Sequence, residues 1–278
     1  MSVAIKLLRI DTKDALARFE AEAKTTASLV HPSTVRVYDY GVVGSWLAYY
    51  VMERVPGKNL RALVQVEGAL PPRRALAIVR QVANAIHEAH RKGLVHRDIK
   101  PENVLVCMEC GEPDLVKVID FGIVYHSSAT APHKAGDRLT APGTVLGTPA
   151  YIAPETTLGD DATTASDVYS LGCVLYFLLT ARPPFGGASP QEVIAAHVLD
   201  VALPPSKRSR HQIPSEVDDL VARCLAKVPS ERPATGRPLI KAIDEAVDSC
   251  SSLENLLRSL PNLTAGHDDV TGPESSDG

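Results

Sequence analysis

The sequence lacks long apolar runs. None reaches the roughly 18 residues that a membrane-spanning helix needs, and the longest ends in Thr180-Ala181-Arg182-Pro183. The first residues also lack the basic segment followed by an apolar segment that marks a secretory signal. We therefore expect a cytoplasmic protein with no membrane segment in this chain.

The sequence also lacks a disulfide pattern and an excess of positive charge, since 29 Lys and Arg stand against 33 Asp and Glu. The five cysteines are an odd number in a chain of 278 residues, and they do not suggest a disulfide framework. Cys107 and Cys110 have the spacing of half a zinc site, but no second Cys or His pair accompanies them. Cys173 and Cys224 lie in apolar helical patterns and are expected to be buried. A net charge of -4 argues against a nucleic-acid partner, which usually requires a basic footprint.

The sequence has the composition of a globular protein, with 45% hydrophobic residues. The pattern of apolar residues along the chain changes at Pro56-Gly57. Before this break, short apolar runs and one helical repeat predict a strand at 3–8, a helix at 14–29 and paired strands at 35–40 and 46–52. After it, helical periodicity dominates. The predicted helices span 73–91, 164–179, 190–198, 215–226 and 238–247.

Local signals refine this pattern. Ser215, followed by Asp218, resembles the start of a capped helix. Ser251-Ser252-Leu253-Glu254 has a capping-box pattern and predicts one more short helix. The stretch from 121 to 155 shows little periodicity, and a loop of this length is usually functional. The segment 265–278 carries acids but no Lys or Arg, which predicts a disordered tail.

Two motifs point to the chemistry. The first is HRDIKPEN at His96–Asn103, and the second is VKVIDFG at Val116–Gly122. Their order and spacing resemble the eukaryotic-type (Hanks-type) serine/threonine protein kinases, in particular those of bacteria. The resemblance implies an α+β fold with a truncated N-terminal β lobe and a mainly helical C-terminal lobe. It implies a kinase domain at 1–247, with its small lobe at 1–54 and large lobe at 55–247, followed by a short helix and acidic tail at 248–278.

The resemblance also implies a reaction, the transfer of the γ-phosphate of ATP to Ser or Thr hydroxyls of protein substrates in the presence of Mg²⁺. Asp98 matches the base that accepts the hydroxyl proton, and general-base assistance contributes about 10²- to 10⁴-fold in rate. Asn103 and Asp120 match the two metal ligands, and Mg²⁺ prefers such hard oxygen donors. Lys100 matches a lysine that steadies the transferred phosphate.

The N-terminal strand and helix match the part of the family that holds the nucleotide phosphates. Lys6 matches the strand lysine that contacts the α- and β-phosphates, and Glu22 matches its partner on a movable helix. Thr26, one turn after Glu22, departs from the family, which normally has an apolar residue there. The remaining nucleotide contacts implied by the resemblance surround the adenine ring. They are the backbone of Glu53 and Val55 and the side chains of Ala4, Met52 and Leu105.

The segment GTPAYIAPE, 147–155, resembles the end of the activation segment of these kinases. In that reading Thr148 helps to orient the substrate hydroxyl, and Glu155 pairs with Arg232 in a structural contact. Asp167 matches a helix-borne carboxylate that braces the backbone of the HRD loop.

Arg97 is typical of kinases that are controlled by phosphorylation of the activation segment, because a phosphate there can pair with the arginine and order the loop. Thr140 and Thr144 are the candidate sites, including for self-phosphorylation, and the sequence does not decide between them.

One family feature is missing from the sequence. The glycine-rich loop, G-x-G-x-x-G, belongs before Val3, where only Met1 and Ser2 stand. Three interpretations follow. The first is an intact kinase whose start lies further upstream. The second is a kinase remnant or pseudokinase that acts as a binding or scaffold module with weak or no catalysis, and the third is a nucleotide-responsive interaction module. The complete set of catalytic residues favours the kinase.

Overall fold

The computed structural model describes residues 2–10, 12–44, 46–107, 114–121 and 149–259. The strands in these ranges are β1 (Val3–Arg9), β2 (Val37–Val43), β3 (Leu47–Glu53), β4 (Gly57–Asn59), β5 (Val104–Cys107) and β6 (Leu115–Val118). The helices are α1 (Lys13–Ala27), α2 (Leu60–Glu67), α3 (Pro72–Arg91), α4 (Pro154–Thr157), α5 (Thr164–Thr180), α6 (Pro190–Leu199), α7 (Ser215–Cys224) and α8 (Arg237–Ser259). None of these helices combines the length and apolar character that a membrane crossing requires.

The N-terminal part is a small lobe made of an antiparallel sheet and one helix. The strands lie in the order β1-β3-β2, and alternation along β3 buries Ala48, Tyr50 and Met52. Helix α1 packs on this side of the sheet through Phe19, whose ring lies 5.1 Å from that of Tyr50 in an edge-to-face contact. Thr12 caps α1 by accepting a hydrogen bond from the amide of Ala15. These contacts fix the helix that carries Glu22.

The C-terminal part is a helical lobe built around α3 and α5. Nearly every residue of α5 is buried, as expected for a helix surrounded by other elements. A Cβ added at Gly172 would lie 2.6 Å from the Cβ of Cys224, so glycine permits the close approach of α7. The strands β4, β5 and β6 form a small antiparallel sheet. Neither these strands nor α2 were predicted from the sequence.

The two lobes are joined by backbone hydrogen bonds as well as by the chain. The amide of Val35, in the segment between α1 and β2, donates to the carbonyl of Val118 over 3.0 Å, and the amide of Val118 donates to Ser33 over 2.8 Å. Strand β6 of the large lobe is therefore held directly against the small lobe.

Two predictions from capping signals are wrong, a separate helix after 247 and a side-chain cap at Ser215, although α7 does begin at Ser215. Helix α8 runs without a break to Ser259, and the hydroxyl of Ser251 bonds to the carbonyl of Val247 inside it, because the buried stripe of Ala246 and Cys250 continues the helix. The short helix expected after 247 is thus the last part of α8. At α7 the residue before the helix is Pro214 and no side chain caps it. Asp218 instead accepts hydrogen bonds from Ser206.

Candidate active site

The HRD loop is held by a buried carboxylate, as predicted. The carboxylate of Asp167, near the start of α5, accepts hydrogen bonds from the backbone amides of His96 over 2.8 Å and Arg97 over 2.9 Å. Its side chain is 1% exposed and also lies 2.7 Å from Nε2 of His90. Arg97 has a φ of 69°, a left-handed conformation that costs a residue with a Cβ about 1–2 kcal/mol. The carboxylate therefore stabilises a strained turn whose next residue is Asp98.

Asp98, Lys100 and Asn103 converge directly after this turn. Nζ of Lys100 lies 2.7 Å from Oδ2 of Asp98, and the amide nitrogen of Asn103 donates to the same oxygen over 2.8 Å. Asn103 also donates to the backbone carbonyl of Asp98, and it lies in a short 3₁₀ turn, Pro101–Asn103. The three side chains form a hydrogen-bonded cluster around one carboxylate.

The DFG segment lies beside this cluster. His96 contacts it twice, through a bond of 3.0 Å between Nε2 and the carbonyl of Ile119 and through its ring, 4.6 Å from that of Phe121. Asp120 has a φ of 67°, a second left-handed residue in the site, and such conformations cluster where function requires them. Gly122 lies outside the described residues.

Lys6 and Glu22 each have a partner other than the one predicted. Nζ of Lys6 lies 2.8 Å from Oδ1 of Asp120, and the Glu22 carboxylate lies 2.6 Å from the Arg97 guanidinium. The structure thus brings Lys6 and Glu22 into the same site but gives them different ion-pair partners. The Thr26 side chain lies in the lobe core, 3% exposed, and its hydroxyl has no hydrogen-bond partner among the described residues.

The expected adenine contacts are divided between the sheets of the two lobes. Ala4 on β1 is directly opposite Met52 on β3, and Glu53 and Val55 follow Met52 along the chain. Leu105 lies on β5 of the large lobe. Both lobes therefore contribute to these positions, as a cleft between them requires.

The residues of this site belong to a known protein family. The family described as "Protein kinase domain" matches residues 1–245. The chain belongs to the protein kinase family. The fold and family predicted from HRDIKPEN and VKVIDFG are therefore confirmed.

Several relatives of the kinase are serine/threonine-protein kinases of mycobacteria. PknB of Mycobacterium tuberculosis H37Rv is 41% identical over 237 residues, covering 83% of this chain and 36% of PknB. PknD of the same strain is 39% identical over 267 residues, covering 94% of this chain and 38% of PknD. The kinase thus spans little more than a third of the length of these relatives.

A solved structure shows the same fold. The crystal structure of Rad53 1-466 in complex with AMP-PNP matches with a TM-score of 0.68 at 28% identity, covering 89% of this chain and 57% of that chain.

The donor chemistry of Asn103 and Asp120 bears on the expected magnesium site. No cluster of at least three His, Cys, Asp or Glu side chains suited to a metal occurs in the described part of the chain. Asn103 and Asp120 instead offer one amide oxygen and one carboxylate, and Mg²⁺ is commonly bound through one or two protein oxygens together with substrate phosphates. These residues fit a magnesium ion that arrives with a nucleotide.

The end of the activation segment is anchored as predicted. Glu155 accepts two hydrogen bonds from Arg232, at 2.7 and 2.8 Å, and one from Ser166. Burial acts to raise the pKa of Glu155, but the bonds from Arg232 and Ser166 outweigh burial and lower it. Thr140, Thr144 and Thr148 lie outside the described residues.

The cysteine predictions have mixed outcomes. Cys173 and Cys224 are buried free thiols, as expected, and burial raises the pKa of Cys224 to about 12. Cys107 is disulfide-bonded, which the composition did not suggest, and Cys110 lies outside the described residues.

Sequence reasoning missed two ion pairs near the site. Lys117 on β6 pairs with Glu53 at 2.9 Å, and Arg61 on α2 pairs with Glu102 between Lys100 and Asn103. Lys117 belongs to the VKVIDFG motif, so its charge in a buried strand was a signal. The Arg61 pair had none, because α2 was not predicted.

Proposed function

We propose that this chain is the catalytic domain of a serine/threonine protein kinase, which transfers the γ-phosphate of ATP to Ser or Thr hydroxyls of proteins. The observation that carries the proposal is the cluster of Asp98, Lys100 and Asn103, with contacts of 2.7–2.8 Å. The names of the relatives, serine/threonine-protein kinases, support the same substrate class.

The residues have distinct roles in this proposal. Bound Mg·ATP supplies the phosphoryl group and the metal charge that offsets it. Asp98 accepts the proton of the attacking hydroxyl, and Lys100 stabilises negative charge on the transferred group. The amide of Asn103 orients the Asp98 carboxylate, while its oxygen and the Asp120 carboxylate hold Mg²⁺.

Catalysis requires the two ion pairs of the cleft to exchange partners. In the structure Asp120 is held by Lys6, and Glu22 by Arg97. We propose that Lys6 exchanges Asp120 for Glu22 when nucleotide binds, which leaves Asp120 to hold the metal. Arg97 then becomes accessible to a phosphate on the activation segment, at Thr140 or Thr144.

The same ion pairs favour a second candidate function. A domain that keeps Lys6 on Asp120 and Glu22 on Arg97 would act as a binding or scaffold module and transfer little or no phosphate. This candidate predicts nucleotide binding without turnover.

Phosphate transfer from labelled ATP distinguishes the two functions. The natural chain is incubated with Mg·ATP and a generic basic protein, beside Asp98→Asn and the surface variant Asp161→Ala. We expect Asp98→Asn to lower incorporation by at least about 10²-fold, the usual contribution of a general base, while Asp161→Ala keeps it. Equal incorporation by the natural chain and Asp98→Asn overturns the catalytic proposal in favour of the binding module.

A further inference from the structure

We infer that Lys117 is a positioning residue of the nucleotide site, which holds the hinge (residues 52–55) in register with Leu105, the floor of the expected adenine pocket. The inference rests on the proposed function, since it takes Glu53, Val55 and Leu105 as contacts of the adenine ring of ATP, as the family resemblance implies. It goes beyond that function by naming a residue that contacts neither nucleotide nor metal and acts through two residues that border the pocket.

The side chain of Lys117 reaches the hinge. Its Nζ lies 2.9 Å from Oε2 of Glu53, and the two side chains are only 14% and 29% exposed. The same carboxylate oxygen accepts the amide of Arg36 over 3.3 Å, and the amide of Glu53 donates to the carbonyl of Arg36 over 2.8 Å. Glu53 is thereby fixed at both its backbone and its side chain at the last residue of β3.

The backbone of Lys117 reaches the floor. Lys117 lies opposite Leu105 in the antiparallel pairing of β5 and β6. The next residue, Val118, makes the backbone hydrogen bonds to Ser33 and Val35 that join the two lobes. Lys117 therefore contacts both lobes. Its backbone pairs with the strand of Leu105, and its side chain forms an ion pair with Glu53 across the lobe boundary.

Physical chemistry explains why this position carries a charge. A partly buried ion pair contributes little net stability, because desolvation offsets much of the attraction, but it imposes a specific geometry. A pocket that is preorganised in this way binds its ligand without paying the entropy of ordering the hinge. Since Lys117 acts at the adenine end, its loss should weaken adenosine and ADP by the same factor.

Calorimetric titration with adenosine and with ADP tests this assignment. The variants are Lys117→Met, Glu53→Gln and the double swap Lys117→Glu with Glu53→Lys. The matched control is Lys241→Met, which removes a surface pair with Glu245, at 3.5 Å, whose side chains are 76% and 57% exposed. Lys6→Met serves as a reference for a residue at the phosphate end, which should weaken ADP more than adenosine. Thermal melting of each variant is recorded in parallel.

We expect Lys117→Met to raise the Kd of both ligands about tenfold, or ~1.4 kcal/mol, with recovery to within about threefold in the double swap and no change in Lys241→Met. Glu53→Gln should show the same loss of affinity, and it removes only a charge, so it replaces Lys117→Met if that variant fails to fold.

A Kd within twofold of the natural chain for these variants, even with a lower melting temperature, overturns the inference and leaves the proposed function intact. Loss of ADP affinity alone also overturns it. Failure of the natural chain to bind either ligand overturns the proposed function itself.

Discussion

Asp167 holds the backbone of the HRD loop directly. It is buried, accepts two backbone amides and faces His90. Removal of a group of this kind leaves donors without partners inside the protein, and each such loss costs about 1–3 kcal/mol. The left-handed turn at Arg97 would also lose the two backbone hydrogen bonds that hold it.

Asp167→Ala should therefore lower the free energy of unfolding by about 3 kcal/mol. Urea denaturation of the purified variant measures the change. The control is Asp161→Ala, an exposed aspartate six residues earlier, which should stay within about 0.5 kcal/mol of the natural chain. Equal losses in the two variants would contradict the role assigned to Asp167.

His197 gives the protein a pH-dependent stability. It is 0% exposed, and its Nδ1 shares a hydrogen bond of 2.8 Å with the hydroxyl of Tyr169. Burial, and then the nearby charge of Lys227, lower its pKa from 6.5 to about 4. Below its usual pKa the unfolded chain binds a proton that the folded chain does not, so stability is full above pH 6.5 and falls as the pH approaches 4.

The pH dependence can be measured against His197→Gln, whose side chain does not titrate. Between pH 6.5 and 5, the free energy of unfolding of the natural chain should fall more steeply than that of the variant, by up to ~1.4 kcal/mol per pH unit. Urea denaturation at intervals of half a pH unit provides both curves. Parallel curves would show that His197 does not cause the loss.

The residues of the site differ in how far the sequence could predict them. Asp98, Lys100 and Asn103 lie within six positions, so their convergence follows from one local turn. The partner of Lys6 could not be predicted, because Asp120, which it contacts, and Glu22, which was expected to contact it, both lie far from it in the sequence. The same holds for Glu53 and Lys117, which are 64 residues apart.

At the scale of elements, α1 is the helix that carries Glu22 from the small lobe to the HRD loop. Its apolar face is fixed on the small sheet, and Glu22 reaches the large lobe through Arg97. The helix itself was predictable from periodicity, whereas the cation that Glu22 contacts depends on tertiary structure. Tertiary structure also explains why a separate helix was wrongly predicted after 247. The burial of Ala246 and Cys250 in the core carries α8 through the local capping signal at 251–254.

A double-mutant cycle measures the contact between α1 and the catalytic loop. Glu22→Gln, Arg97→Gln and the double variant should give a coupling energy of about 0.5–1 kcal/mol without nucleotide, as expected for a partly exposed pair. Saturating Mg·ADP should reduce this coupling if Glu22 moves to Lys6.

Arg80 and Asp244, a surface pair at 2.7 Å, provide the control cycle, which nucleotide should not change. A Glu22–Arg97 coupling that persists undiminished in Mg·ADP would argue against the exchange.

At the scale of the whole molecule, the described residues form two separate hydrophobic clusters. One contains Phe19, Tyr50 and Met52 of the small lobe. The other is much larger and is centred on α3 and α5. Because local opening is easiest where few apolar groups are buried, the small lobe should open without the large one. The links that oppose this opening include the Val118 backbone bonds and the ion pairs Glu53–Lys117, Lys6–Asp120 and Glu22–Arg97.

Hydrogen exchange followed by mass spectrometry should therefore show faster exchange in β1–β3 than in α3 and α5. ADP at about 100 times its Kd should slow exchange in β1–β3 by about a hundredfold, equivalent to ~2.7 kcal/mol, because an open small lobe cannot complete the adenine pocket. In Lys117→Met the difference between the lobes should widen without nucleotide, since one link across the boundary is lost. Identical exchange rates in the two lobes would mean that the two clusters unfold as one unit. The small lobe would then have no separate opening for nucleotide binding to suppress.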